Sequence, residues 1–149
     1  MNYVEECKRI INIYPDQIKR IRQDPDCEIE HDFLGFLNSY YDLNIPENFT
    51  IIDFGCGYAI QSVYFKSNRY IGIDYAVPIE NRFTFDNVTH YYMSIQNYIN
   101  NVLPTLNLDF NKTFAISSYV PDQEARKLIK NTFIYYRDQY CSDIEENLP

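Results

Sequence analysis

The chain of 149 residues has no tryptophan, two histidines, two methionines, four glycines and four cysteines. Each scarcity excludes something. A structural zinc site draws closely spaced Cys and His ligands, so two His and no C-x-x-C pair argue against one, and no metal is expected. Cys7, Cys27, Cys56 and Cys141 are scattered and read as reduced thiols, which points to a cytoplasmic location. No apolar run approaches the about 20 residues of a membrane-spanning helix. The start Met1-Asn2-Tyr3-Val4-Glu5-Glu6 lacks the basic opening of a secretory signal, so no membrane role is expected. Basic charge is also short. Thirteen Lys and Arg stand against 21 Asp and Glu, a formal net charge of −8. That balance opposes attraction to nucleic-acid phosphates, so nucleic acid is unlikely as a partner unless a basic partner protein is present. The one basic run, Lys19-Arg20-Ile21-Arg22, reads as a solvated helix face.

What is abundant is apolar and aromatic. Hydrophobic residues make up 46% of the chain, with 15 Tyr and 10 Phe, enough for one folded domain over residues 1–149. Residues 2–14 read as a helix, with Asn2 and Glu5 as a cap pair and Pro15 as its stop. A short basic turn or helix follows to Gln23. Asp24-Pro25 reads as the cap of a helix whose apolar face runs through Ile29, Phe33, Phe36, Leu37, Tyr40 and Tyr41 to about Leu43. These N-terminal helices occupy 1–45, and an α/β core occupies 50–140.

In that core, strands are expected at 50–54, 69–74, 88–92 and 113–117, with a helix from Tyr58 to about Lys66. Pro78 to Phe83 leaves room for a turn or short helix, and Pro104 kinks or finishes the helix after Ile95. Thr132-Phe133-Ile134-Tyr135-Tyr136 fits either a fifth strand or a continued helix, and the strand is favoured. The acidic end Asp143-Ile144-Glu145-Glu146-Asn147 reads as frayed. Alternating strands and helices imply a parallel sheet with helices on both faces and right-handed crossovers.

The chain is organised around Thr50-Ile51-Ile52-Asp53-Phe54-Gly55-Cys56-Gly57-Tyr58-Ala59-Ile60. An apolar strand ends in an acid and meets two glycines spaced by one, where the backbone needs φ > 0 or where a ligand approaches closely. Arg69-Tyr70-Ile71-Gly72-Ile73-Asp74 is a second strand ending in a carboxylate, nineteen residues after Gly55. Spacing of about 20 is where a βαβ unit presents an acid to a ribose. A dinucleotide fingerprint would need its third glycine where Ile60 stands. A dinucleotide or other nucleotide site, and a tight turn that binds nothing, remain the alternatives.

Asp53-Phe54-Gly55-Cys56-Gly57-Tyr58-Ala59 resembles the D/E-x-G-x-G-x-G loop of the Rossmann-like (class I) S-adenosylmethionine-dependent methyltransferases, here as a truncated member. The resemblance implies a three-layer α/β sandwich with a mostly parallel sheet of about five strands in the order 3-2-1-4-5, lacking the family's sixth and seventh strands. It implies S-adenosylmethionine as cofactor. Asp53 would accept loop N–H bonds and lie near the ammonium end, and Gly55, Cys56 and Gly57 would pass beneath the ligand. The helix opening at Tyr58 would face the cofactor carboxylate. Asp74 would accept both ribose hydroxyls, Tyr75 or Ala76 would flank the adenine, and Ser94 with Ile95 would meet its amino group. Ser117 ends the fourth strand, and Tyr119 and Asp122 would stand on the acceptor side as candidate catalytic residues. Asp122 equally suits a helix cap. The helix before the first strand is where this family keeps acceptor-site residues, so His31 or a tyrosine there would see substrate, although a core role is the plainer reading. The expected function is methyl transfer to a small molecule or protein side chain, with the acceptor unidentified. The alternatives are a non-catalytic methyltransferase-like protein acting through a protein partner or a second copy, and a nucleic-acid methyltransferase with a basic partner.

Overall fold

Apolar side chains alternate between two faces along the central strands, and that alternation sets the layers. The computed structural model describes residues 2–25, 28–40 and 42–149, with only the backbone of 38 and 39. Cys27 and Tyr41 therefore lie outside the described residues. Three helices come first: α1 (Tyr3–Ile13), α2 (Pro15–Ile21) and α3 (Ile29–Tyr40). The strands are β1 (Thr50–Phe54), β2 (Arg69–Asp74), β3 (Val88–Tyr92), β4 (Thr113–Ser117), β5 (Tyr135–Tyr140) and β6 (Asp143–Asn147). Between them lie a 3-10 helix (Ile60–Phe65), a 3-10 turn (Ile79–Asn81), α4 (Ile95–Asn97) continuing through a π turn (Tyr98–Val102), and α5 (Gln123–Thr132).

The sheet order is β3-β2-β1-β4-β5-β6. The first five strands are parallel and β6 runs antiparallel to β5. Ile51 pairs with Tyr70 and Phe114, and this row packs against Ile10, Phe33 and Leu37 of the N-terminal helices. Ile52 pairs with Ile71 and Ala115, and that row packs against Ile95, Tyr98 and Ile129 on the other side. Both faces are thus covered, as a parallel sheet requires. Each such buried side chain contributes about 1.5–3 kcal/mol.

The expected cap of the first helix holds at Asn2, whose Oδ1 accepts from Val4 N and Glu5 N. Pro15 does more than stop that helix: it opens α2, where its missing N–H costs nothing. Asp24 does not cap α3, which begins at Ile29. Its carboxylate instead accepts from Tyr58 OH at 2.8 Å. The helix expected over Tyr58 to Lys66 is a six-residue 3-10 helix, because the chain is still turning through a left-handed Ala59 immediately before it.

The sheet has six strands rather than about five. The segment 132–136 is divided: Thr132 ends α5, Phe133 caps it, and β5 begins at Tyr135. The end expected to fray forms β6, held by pairing with β5 and by ion pairs of Glu145 with Lys130 and Glu146 with Arg137. β5 is a polar strand that is nonetheless covered. Arg137 lies over the Tyr40 ring and bonds Asp42 at 3.0 Å, while Asp138 on the opposite face bonds Ser117, Arg126 and Lys130. These basic partners hold the Asp138 carboxyl below its ordinary range against the opposing effect of burial. Cys7, Cys56 and Cys141 are free thiols. Among the described residues, no helix is long and apolar enough to cross a membrane, and no His/Cys/Asp/Glu group could hold a metal.

Candidate functional site

β1 delivers the chain into a loop with three left-handed positions, Gly55 (φ 70°), Gly57 (φ 56°) and Ala59 (φ 55°). The sheet order reverses between β1 and β4, and open α/β sheets bind ligands at the carboxyl ends of strands beside such a point. The loop is tied down along its length. Gly55 N and Cys56 N donate to Ile73 O at 2.8 and 3.1 Å, and Ala59 N donates to Cys56 O at 2.9 Å. Gly57 N donates to Asp74 Oδ2 at 2.9 Å. The two glycines differ in surroundings. A Cβ on Gly55 would sit 3.3 Å from Val120 Cγ2, whereas one on Gly57 would meet nothing within 4 Å.

Asp74 is engaged on both oxygens. Besides Gly57 N, it accepts from Ala76 N at 2.6 Å and Val77 N at 3.0 Å through Oδ1. A carboxylate has about four lone-pair sites, so roughly one stays open to a ligand. That leaves room for one ribose hydroxyl rather than the two expected.

Behind Asp74 lies Arg82, a fully buried side chain that the sequence does not single out. Its guanidinium donates to the carbonyls of Val77, Tyr91 and Asp74 at 3.0–3.2 Å and to Gly72 O at 3.4 Å. It clamps the ends of β2 and β3 together and so fixes the platform from which Asp74 projects. A lone arginine in a turn gives no sequence signal of this.

Asp53 departs furthest from expectation. It is 0% exposed and takes bonds from the side chains of Tyr70 and Gln61, with no backbone N–H among its partners in the described residues. Its Oδ1 has no partner among the described residues. Burial pushes its pKa up from 3.8 to about 7, against the lowering effect of the Tyr70 and Gln61 bonds. Gln61 also donates to Cys56 O at 3.1 Å, so Asp53 orients the loop indirectly, through Gln61. Cys56 Sγ fits beside Gly72, where a Cβ would come within 3.0 Å of it.

Two cavities meet at this loop. The larger, about 460 Å³, is walled by His31, Asp32, Gly35 and Phe36 of α3, by the loop from Gly55 to Gln61, by Ser118 and Tyr119 after β4, and by Gln139 and Cys141 at the β5–β6 turn. The smaller, about 160 Å³, lies against Asp74, Tyr75, Met93, Ile95 and the segment Tyr119–Pro121. Gly55 and Tyr119 line both. Tyr119 is 58% exposed, and its ring packs 5.1 Å from that of Tyr140.

Of the expected site residues, Gly55, Cys56, Gly57, Tyr58, Asp74, Tyr75, Ile95 and Tyr119 line these cavities. Four do not. Asp53 lies beneath the loop. Ser94 caps α4, its Oγ accepting from Asn97 N at 3.1 Å. Ser117 is buried, bonded through Oγ to Asp138 and through its carbonyl to Tyr40 OH. Asp122 caps α5 by accepting from Glu124 N and Ala125 N, and its second oxygen accepts from Gln96 at 2.9 Å, a bond that lowers its pKa. Asp32, Gln139 and Cys141 were not singled out as site residues in sequence: Asp32 looks like any first-turn acid, Gln139 sits on a strand whose polarity hides it, and Cys141 lies in the turn just after that strand.

The loop amides bear on ligand charge. A pyrophosphate site needs free N–H groups, and those of Gly55, Cys56, Gly57 and Ala59 are all consumed within the protein. The 3-10 helix that follows is too short to offer a helix terminus as an anion site in their place. No protein-family model, curated protein or solved structure matches the chain.

Proposed function

We propose that the protein is a Rossmann-like, S-adenosylmethionine-binding methyltransferase-like protein, with its cofactor at the carboxyl ends of β1 and β2. The observation that carries the reading is the opening above Gly57, a left-handed glycine with no atom where a Cβ would stand, beside a carboxylate that ends the next strand. The residues fit the group. Asp74 offers one remaining acceptor position to a ribose hydroxyl, and Tyr75 and Ile95 border an apolar cleft wide enough for part of a flat base. A loop with no free amides among those of Gly55, Cys56, Gly57 and Ala59 suits a cofactor without phosphates better than a dinucleotide.

S-adenosylmethionine, when bound, supplies an electrophilic methyl group on a sulfonium. The chain's own part is positional. Arg82 and Asp74 fix the loop, and Tyr119, shared by both cavities, stands where an acceptor would meet the donor. Holding two reactants in line accounts for about 7–11 kcal/mol of barrier without any acid or base. Titration calorimetry with S-adenosylhomocysteine and with a nicotinamide dinucleotide tests the reading. Saturable binding of the first alone is expected, and preference for the dinucleotide overturns it.

The second reading, a non-catalytic protein that acts through a partner, has one observation in its favour. Both oxygens of Asp122 are committed to capping α5 and to Gln96, so the acid expected to work beside Tyr119 is not free to take a proton. Cofactor binding without turnover on any acceptor would select it.

A further inference from the structure

We infer that the larger cavity takes an amine, and that Asp32 is the residue that selects it. As a methyl-acceptor site this rests on the cofactor reading above; as an amine-binding site it stands on the cavity alone. Among the described residues that line the cavity, none is a lysine or arginine. A ligand of net negative charge, unlike the zwitterionic end of the proposed cofactor, would enter a space with no fixed cation, in a chain of net charge −8. What the walls do present is acceptors and aromatic faces. The Asp32 carboxylate is half exposed at 49%, with the neighbouring His31 ring at 3.4 Å as its one charge partner among the described residues. Gln139 donates through Nε2 to Cys141 O at 3.3 Å, while its Oε1 is buried with no partner among the described residues. Phe36, Tyr58 and Tyr119 supply rings, whose negative faces attract a cation.

An ammonium or neutral N–H ligand matches every one of these features. It donates to Asp32 and packs its stem on the rings. In the transfer, the neutral amine's lone pair forms the new N–C bond. The C–S bond of the sulfonium donor breaks with its electron pair going to sulfur, and the surplus proton on nitrogen leaves to Asp32 or to solvent.

Phenethylamine and phenylacetate, matched in ring and length but opposite in charge, are titrated calorimetrically into the free protein and into protein saturated with S-adenosylhomocysteine. Saturable binding of phenethylamine alone is expected, weakened at least about tenfold by Asp32→Asn. That variant should keep a native circular dichroism spectrum. Equal or tighter binding of phenylacetate, no binding of phenethylamine, or unchanged amine affinity in Asp32→Asn overturns the inference. If the amine binds in an Asp32-dependent way while S-adenosylhomocysteine does not bind, the amine site is supported and the cofactor reading fails by itself.

Discussion

Asp74 Oδ2 accepts from the Gly57 amide at 2.9 Å, so the acid ending β2 holds the glycine loop that follows β1. One carboxylate therefore supports the loop and faces the cleft, and its two roles separate by measurement.

Asp74→Ala removes the acceptor for three backbone amides. A hydrogen bond to a charged group contributes roughly 1.5–3 kcal/mol when buried. Asp74 is half-buried, so a total loss of about 2–3 kcal/mol in urea unfolding is expected. Affinity for S-adenosylhomocysteine should fall at least about tenfold as well. A variant as stable as the wild type would mean that these three bonds contribute nothing.

Gly57→Val should stay folded and lose the cofactor. A Cβ there meets nothing within 4 Å, and its cost is a left-handed φ, roughly 1–2 kcal/mol. Gly55→Ala is the contrasting variant: its Cβ presses on Val120 Cγ2 at 3.3 Å, so its damage should appear as lost stability too. Native circular dichroism with undiminished affinity in Gly57→Val would move the ligand away from this loop.

The loop was legible because two strands of apolar residues end in acids at a fixed spacing, and only glycine is at ease at φ 56–70°. β1 to β4 were legible for the same reason, having at least one apolar row each. β5 was not. Arg137 and Asp138 are covered by partners distant in sequence, Asp42 and Ser117, and a single sequence shows no such pairing. β6 has one apolar residue, Ile144, and its acids read as a solvated tail. The side-chain partners of Asp53 were hidden as well, since Tyr70 reads as an apolar strand residue and not as a donor.

Asp53 predicts a pH dependence. Its native pKa of about 7 lies above the ordinary 3.8, so the folded state binds the proton more tightly than the unfolded state. The contribution is fully present below about pH 4 and is lost as pH rises to about 7, on the order of 4 kcal/mol. Carboxylates with lowered pKa, such as Asp138 and Asp42, act in the opposite direction and mask it in the wild type. The readout is therefore a difference. Stability of the wild type minus that of Asp53→Asn should decline from pH 4 to pH 7, and a flat difference would show that Asp53 titrates normally.

Gly72→Ala should destabilise by about 1–3 kcal/mol, because its Cβ would lie 3.0 Å from Cys56 Sγ. Cys56→Ala removes that sulfur, so the double variant should recover much of the loss. Strict additivity of the two single changes would show that the sulfur moves aside freely.

β6 also decides which border of the sheet can recruit another chain. All five of its residues are exposed, and three of them, Asp143, Glu145 and Glu146, are acids. Aligned against its own image it would set like charges side by side, a pairing that opposes itself. Without β6, the parallel strand β5 would present its unpaired amides as a template for aggregation. Self-association through strand addition is thereby steered to the opposite border, where β3 carries Val88-Thr89-His90-Tyr91-Tyr92 and no carboxylate.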